Sequence, residues 1–122
     1  EDIARGRSDV VLEAGKVVGT FVFFVGHEPV YDVITNGAWS AEKPYGVIHR
    51  VASDGVTRGV GRACFDFCAA QADYIRIDTH EKNRPMQQAL QRYGFRRCGD
   101  VVYEDGKERI AFDYVGNKTK AH

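Results

Sequence analysis

The sequence predicts a mixed α/β fold built on one sheet, and three observations carry that prediction. Two hairpin signals, one towards each end of the chain, bracket a central series of strand, turn, helix, strand and helix. A helical crossover joins the two central strands, so they run parallel through a right-handed connection. The 122 residues, 43% hydrophobic and 28% charged, suit one compact domain burying about 65% of its unfolded surface, and they exclude disorder, collagen and low complexity.

The chain begins at Glu1 without a Met, inside a charged, helix-compatible stretch, and reads as processed or partial. Val10 to Glu13 and Lys16 to Val25, rich in Val and Phe, flank Ala14-Gly15 and predict two antiparallel strands joined by a tight turn. Gly26 to Tyr45 has no clean period and carries Pro29, Asn36-Gly37, Pro44, Tyr31, Trp39 and Tyr45. An irregular stretch of that length is either a lid or binding surface, or a loop tacked to the core by its aromatic rings. Gly46 to Ser53 predicts a strand. Arg62 to Ala72 predicts a helix with Ala63, Phe67 and Ala70 at helical spacing. Tyr74 to Thr79 alternates, with Ile75 and Ile77 on one side and Arg76 and Asp78 on the other.

Asn83 is placed to cap a second helix, which holds Pro85 in its first turn, carries Met86, Ala89 and Leu90 as its apolar stripe and ends at Gly94. Within Cys98 to Val115, Val101 to Tyr103 and Ile110 to Val115 alternate around Glu104-Asp105-Gly106-Lys107, a hairpin signal. Residues 1–116 are expected to form one domain and 117–122 a polar, frayed tail.

Seventeen basic residues match seventeen acidic ones, so the large positive field that draws nucleic acid or an anionic membrane is missing. The longest apolar run, Gly19 to Val25, is too short to span a bilayer and no charged-then-apolar leader precedes it; the expected location is cytoplasmic. Cys64, Cys68 and Cys98 cannot all pair with one another and show no zinc spacing, which leaves reduced, buried thiols.

Chemistry concentrates at Val56-Thr57-Arg58-Gly59-Val60-Gly61-Arg62, between a strand and a helix start. Small residues there let a backbone approach a ligand, and the unpaired amides of a helix start favour phosphate oxygens. A pyrophosphate site is implied; a glycine turn with no ligand is the plainer alternative. A P-loop is excluded because Gly-Lys-Ser/Thr is missing, and the dinucleotide fingerprint because Cys64 stands where its third glycine belongs.

Taken together, IHRVAS, RGVGRA opening a helix, IRIDTHEKNRPMQQALQRYGF and the terminal hairpin with YEDGKER resemble the GNAT superfamily of acetyl-CoA-dependent N-acetyltransferases, and its small bacterial members in particular. The resemblance runs from about Asp2 to Val115. It implies a GNAT-like, mainly antiparallel sheet whose central parallel pair splays to admit a thioester. It also implies transfer of an acetyl group from acetyl-CoA to a primary amine by direct attack in a ternary complex, without a metal. Gly59 and Gly61 match the family loop whose amides cradle the pyrophosphate, with Arg58, Val60 and Arg62 beside them, while Val56 departs from its usual Gln or Arg.

By the same resemblance, Val51 and Ser53 lie on the strand that pairs with the pantetheine arm, and Asn83 lies near it. The family's proton-donating tyrosine falls at Leu90, which leaves Tyr93 as the nearby phenol. His49 and His80 are the two histidines near the implied slot, and either could titrate near neutrality. His80-Glu81 lacks a second His four residues after the first, since Arg84 stands there, so a zinc protease is rejected. The family's usual first strand and two helices have no counterpart here, so the chain is a fragment or a second subunit, as in a homodimer, covers that face. A GNAT-like domain that binds coenzyme A, or has lost it, and serves as a sensor without catalysis is the rival expectation.

Overall fold

In the computed structural model, which describes residues 2–4, 9–13, 15–53 and 59–116, seven strands make one sheet. They are β1 (Asp2–Ala4), β2 (Asp9–Glu13), β3 (Lys16–Val25), β4 (Gly46–Ser53), β5 (Tyr74–Thr79), β6 (Arg96–Val102) and β7 (Glu108–Val115). Helix α1 (Val60–Ala69) joins β4 to β5, and α2 (Arg84–Tyr93) joins β5 to β6. The spatial order is β1-β2-β3-β4-β5-β7-β6, antiparallel at every junction except β4 with β5. The mixed sheet with one central parallel pair is thus as the sequence predicts.

Several boundaries differ for identifiable reasons. Asp2–Ala4 is a strand rather than a helix, because pairing such as Ile3 with Val11 decides a segment too short to show a period of its own. Helix α1 starts at Val60, two residues early, since Gly59 takes a left-handed φ of 82° and serves as its N-cap. Its buried face is Val60, Cys64, Phe65 and Cys68, with Ala63 and Phe67 packed at the margin, so the predicted stripe was centred one residue off. Strand β6 begins at Arg96, where exposed arginines and a register shift between Arg97 and Gly99 interrupt the alternation. Helix α2 matches closely: Asn83 Oδ1 accepts the Met86 amide at 3.2 Å, Leu90 is buried, and Gly94 ends the helix at φ 119°.

The two faces of the sheet are covered differently. Both helices pack on one face, where Phe21, Ile48, Phe65, Ile75, Ile77, Leu90 and Phe112 form the larger core. Close approach of α1 there depends on Gly19, because a Cβ at that position would lie 2.4 Å from Val60 Cγ1. All three cysteines are free and buried. The irregular stretch between β3 and β4 covers the other face, which we call the loop face, and contains one short 3-10 turn, Pro29–Asp32. Tyr31, Trp39 and Tyr45 pack there against Val47, Cys98, Val101 and Ala111. Ile75 and Ile77 face the helices whereas Arg76 and Asp78 face the loop, as the alternation predicts, and Arg76 is 4% exposed despite its charge. Among the described residues no helix is long and apolar enough to cross a membrane.

Candidate active site

Strands β4 and β5 pair only at Gly46 with Ile75, Val47 with Arg76 and Ile48 with Ile77. Beyond Ile48 and Ile77 the two strands continue without pairing. A bulge in β4 accompanies the split: Val22 of β3 opposes His49 but Thr20 opposes Ala52, so one β3 residue faces two of β4. Arg50 takes the strain with a left-handed φ of 55°, which for a residue with a Cβ costs about 1–2 kcal/mol. The split opens a cleft of about 610 Å³.

The loop-face side of this cleft collects groups able to hold protons. His49 Nε2 lies 2.9 Å from Glu28 Oε1. Asp78, the first β5 residue past the last parallel pair, accepts hydrogen bonds on Oδ2 from the Tyr31 and Tyr103 hydroxyls, both at 2.7 Å. Burial, reinforced by Asp78, pushes both phenols above the ordinary tyrosine range, so they stay protonated donors. The Glu28 amide donates to Tyr45 Oη at 2.9 Å, which ties the start of the irregular stretch to the core. Arg50 and Arg109 add positive charge to the cleft wall.

On the helix side, Gly59 supplies no side-chain cap to α1, and among the described residues no side chain bonds the amides of its first turn. Among the described residues, a Cβ added at Gly61 would meet nothing nearer than Phe65 Cε2 at 3.8 Å. A second groove of about 310 Å³, lined by Gly59, Gly61, Arg62, Phe65, Ala89, Arg92 and Tyr93, lies along this turn. The residues present therefore fit an anion such as a pyrophosphate at one end and a neutral arm along the cleft.

The residues singled out from the sequence divide between these places. His49, Val51, His80 and Asn83 line the cleft. Ser53, at the end of β4, pairs with Gly19 of β3. Gly59, Gly61 and Arg62 line the second groove, while Val60 turns its side chain into the core at 3% exposure. Arg58, like Val56 and the 117–122 tail, lies outside the described residues. His80 Nδ1 accepts the Lys82 amide at 3.0 Å, a turn-forming role at the cleft mouth. Tyr93 is not in the cleft: its hydroxyl donates to Asp66 Oδ1 at 2.7 Å and its ring packs with Phe65, Phe95 and Tyr114. Burial, then the bond to Asp66, raises its pKa. Leu90, at the family's tyrosine position, is fully buried in the helix-side core.

Sequence reasoning missed Glu28, Tyr31 as a donor, Asp78 and Tyr103. Asp78 had a signal in its alternation with Ile77 at a strand end. Glu28 had none, because its place depends on how an aperiodic segment folds back.

The same architecture recurs in solved structures. A GNAT-family acetyltransferase from Streptococcus agalactiae matches with a TM-score of 0.82 and 31% identity, covering 91% of this chain and 66% of that one. A GNAT-family acetyltransferase from Bacillus cereus matches at 0.66 and 19% identity over 93% of this chain and 72% of the other. RimJ of Mycobacterium smegmatis, solved in complex with CoA-disulfide, matches at 0.60 and 20% identity over 93% and 54%. No family model matches the chain, and no curated protein does. The splayed parallel pair and the glycine turn beside it define the class of fold, an acyltransferase scaffold. The chain thus has the fold of the GNAT acetyltransferases, and it spans just under two thirds of the Streptococcus agalactiae chain.

Proposed function

We propose that this protein is an acetyl-CoA-dependent N-acetyltransferase that acts on a primary amine by direct attack in a ternary complex. The observations that support the reading are the cleft between β4 and β5, with a His–carboxylate pair on its loop-face side, and the glycine turn at the start of α1, which lines a second groove. The CoA-disulfide complex of the RimJ neighbour supports coenzyme binding to this fold.

Acetyl-CoA, as co-substrate, supplies an activated acetyl thioester. The amides of Val60, Gly61 and Arg62 hold its pyrophosphate, and the unpaired edge of β4 around Val51 aligns the pantetheine arm. With the Nε2 hydrogen directed at Glu28, the Nδ1 of His49 is left as the basic nitrogen, which takes the proton that the attacking ammonium must shed. Glu28 fixes the ring and stabilises the imidazolium. The Tyr31 and Tyr103 hydroxyls hold Asp78 in place beside the cleft. Leu90 provides no phenol for the departing thiolate, so water is its proton source.

That same leucine favours the rival reading, a coenzyme-binding domain without catalysis, and turnover separates the two. Calorimetry with acetyl-CoA is expected to show binding that Gly61→Glu abolishes, since a carboxylate on the open turn repels phosphate; thiol release in the presence of primary amines is expected only from the unmodified chain. Unchanged affinity in a folded Gly61→Glu protein refutes the pyrophosphate site, and binding without turnover of any amine favours the sensor.

A further inference from the structure

Arg109 lies on β7 in the wall of the cleft, and we infer that it selects acceptors bearing a carboxylate, so that the amine acetylated belongs to an amino-acid-like molecule. The inference rests on the N-acetyltransferase reading and names its acceptor class.

Among the described residues no carboxylate pairs with the Arg109 guanidinium. Its one hydrogen bond goes from Nη1 to the Glu108 carbonyl at 3.1 Å, and it lies 5.6 Å from the centroid of the Tyr103 ring, whose hydroxyl donates to Asp78. A half-buried guanidinium held against an aromatic face with most of its donors unspent is suited to a planar oxyanion. By contrast, Arg50, the other arginine of the cleft, is exposed.

The register fixes the spacing. Asp78 pairs with Ala111, and Arg109 is two residues further along β7 on the same face, about 7 Å away at the usual strand rise. An ammonium between Glu28, His49 and Asp78 therefore leaves room for a carboxylate a few bonds away to meet the guanidinium. Negative groups at the reacting end and an unpaired cation at the other match a zwitterion in one orientation. A phosphate is disfavoured, because its second charge would face Glu28 and Asp78 while the cleft's other guanidinium, that of Arg50, is exposed to solvent.

The test compares matched pairs, L-phenylalanine with 2-phenylethylamine and L-lysine with 1,5-diaminopentane, by thiol release from acetyl-CoA. The unmodified chain is expected to favour the carboxylate-bearing member at least tenfold in kcat/KM. Arg109→Gln is expected to remove that preference through KM, leaving the decarboxylated partner within about twofold, and Arg109→Lys to restore part of it. Equal use of both members, preference for the decarboxylated one, turnover of neither pair by a protein that binds acetyl-CoA, or an Arg109→Gln loss shared equally by both members overturns the proposal. Failure of the unmodified chain to bind acetyl-CoA in calorimetry overturns the N-acetyltransferase reading itself, and this proposal with it.

Discussion

Trp39→Ala tests whether the irregular stretch between β3 and β4 is held by its aromatic rings. The indole Nε1 donates to the Tyr31 carbonyl at 3.0 Å, and the Tyr31 ring centroid lies 5.2 Å from that of the indole. The Arg76 guanidinium sits 4.3 Å from the centroids of both Trp39 and Tyr45, sandwiched between them, and donates from Nη2 to the Ala41 carbonyl at 2.8 Å. Truncation removes packing, a hydrogen bond and one face of that sandwich. Because Trp39 is half-buried, and Arg76 regains some hydration when the ring is lost, the low end of the range for Trp→Ala applies, about 3 kcal/mol. With an unfolding entropy of about 2.1 cal/mol/K per residue over a chain of this length, that corresponds to a fall in Tm of roughly 12 °C.

A calorimetric melt measures it directly. A fall under about 4 °C would refute the packing argument and return the loop to the alternative of a lid or binding surface, which predicts instead a stable mutant with a raised acceptor KM or weakened self-association. The two outcomes differ because Glu28, which reaches the cleft from the same stretch, is tied down independently by Tyr45.

Tyr93→Phe should lower turnover less than about tenfold, far short of what loss of a general acid does, because the hydroxyl is spent on Asp66 outside the cleft; a hundredfold fall with normal substrate binding would restore it as the acid. His49→Gln should reduce kcat by about a hundredfold or more while leaving the acetyl-CoA Kd within twofold, since His49 faces the loop side; equal loss in binding would make it a binding group instead. Burial, opposed by Arg76 and reinforced by Asp113, holds the Tyr74 phenol up at about 12. The unfolded chain releases that proton near pH 10, so the stability it contributes is intact below pH 10 and lost as pH rises towards 12, at about 1.4 kcal/mol per pH unit. Urea midpoints measured from pH 9.5 to 11.5 should fall less steeply in Tyr74→Phe, and an identical slope would contradict the assignment.

The sheet and helix frame was legible because local chemistry specifies it. Ala14-Gly15 and Asp105-Gly106 mark turns, Asn83 and Gly94 bracket α2, and the crossover makes β4 and β5 parallel. The glycine turn proposed to take the coenzyme was legible for the same reason, since Gly59 starts α1 through its own left-handed backbone. The loop-face side of the cleft was not. Glu28 and His49 are 21 residues apart and Tyr31 and Asp78 are 47 apart, and the contacts exist because Arg76, Trp39 and Tyr45 stack and fold an aperiodic segment onto the sheet. Carboxylates and phenols in such a segment give no periodic signal.

The bulge at Arg50 explains how one strand serves both sides of the site. In a regular strand His49 and Val51 point to the same face, because side chains alternate with a period of two. Here Val47 packs in the loop-face cluster, and His49 follows it towards Glu28 on that side, whereas Val51 packs against the core beneath the helices. One inserted residue reverses the alternation between them. Without it, Val51 would share the His49 face, and β4 would offer no apolar side chain to the helix side of the cleft at the level where its pairing with β5 has already ended. The left-handed Arg50 therefore accounts for two features at once: it withdraws the strand from its parallel neighbour, and it divides a basic imidazole from an apolar lining across the opening so formed.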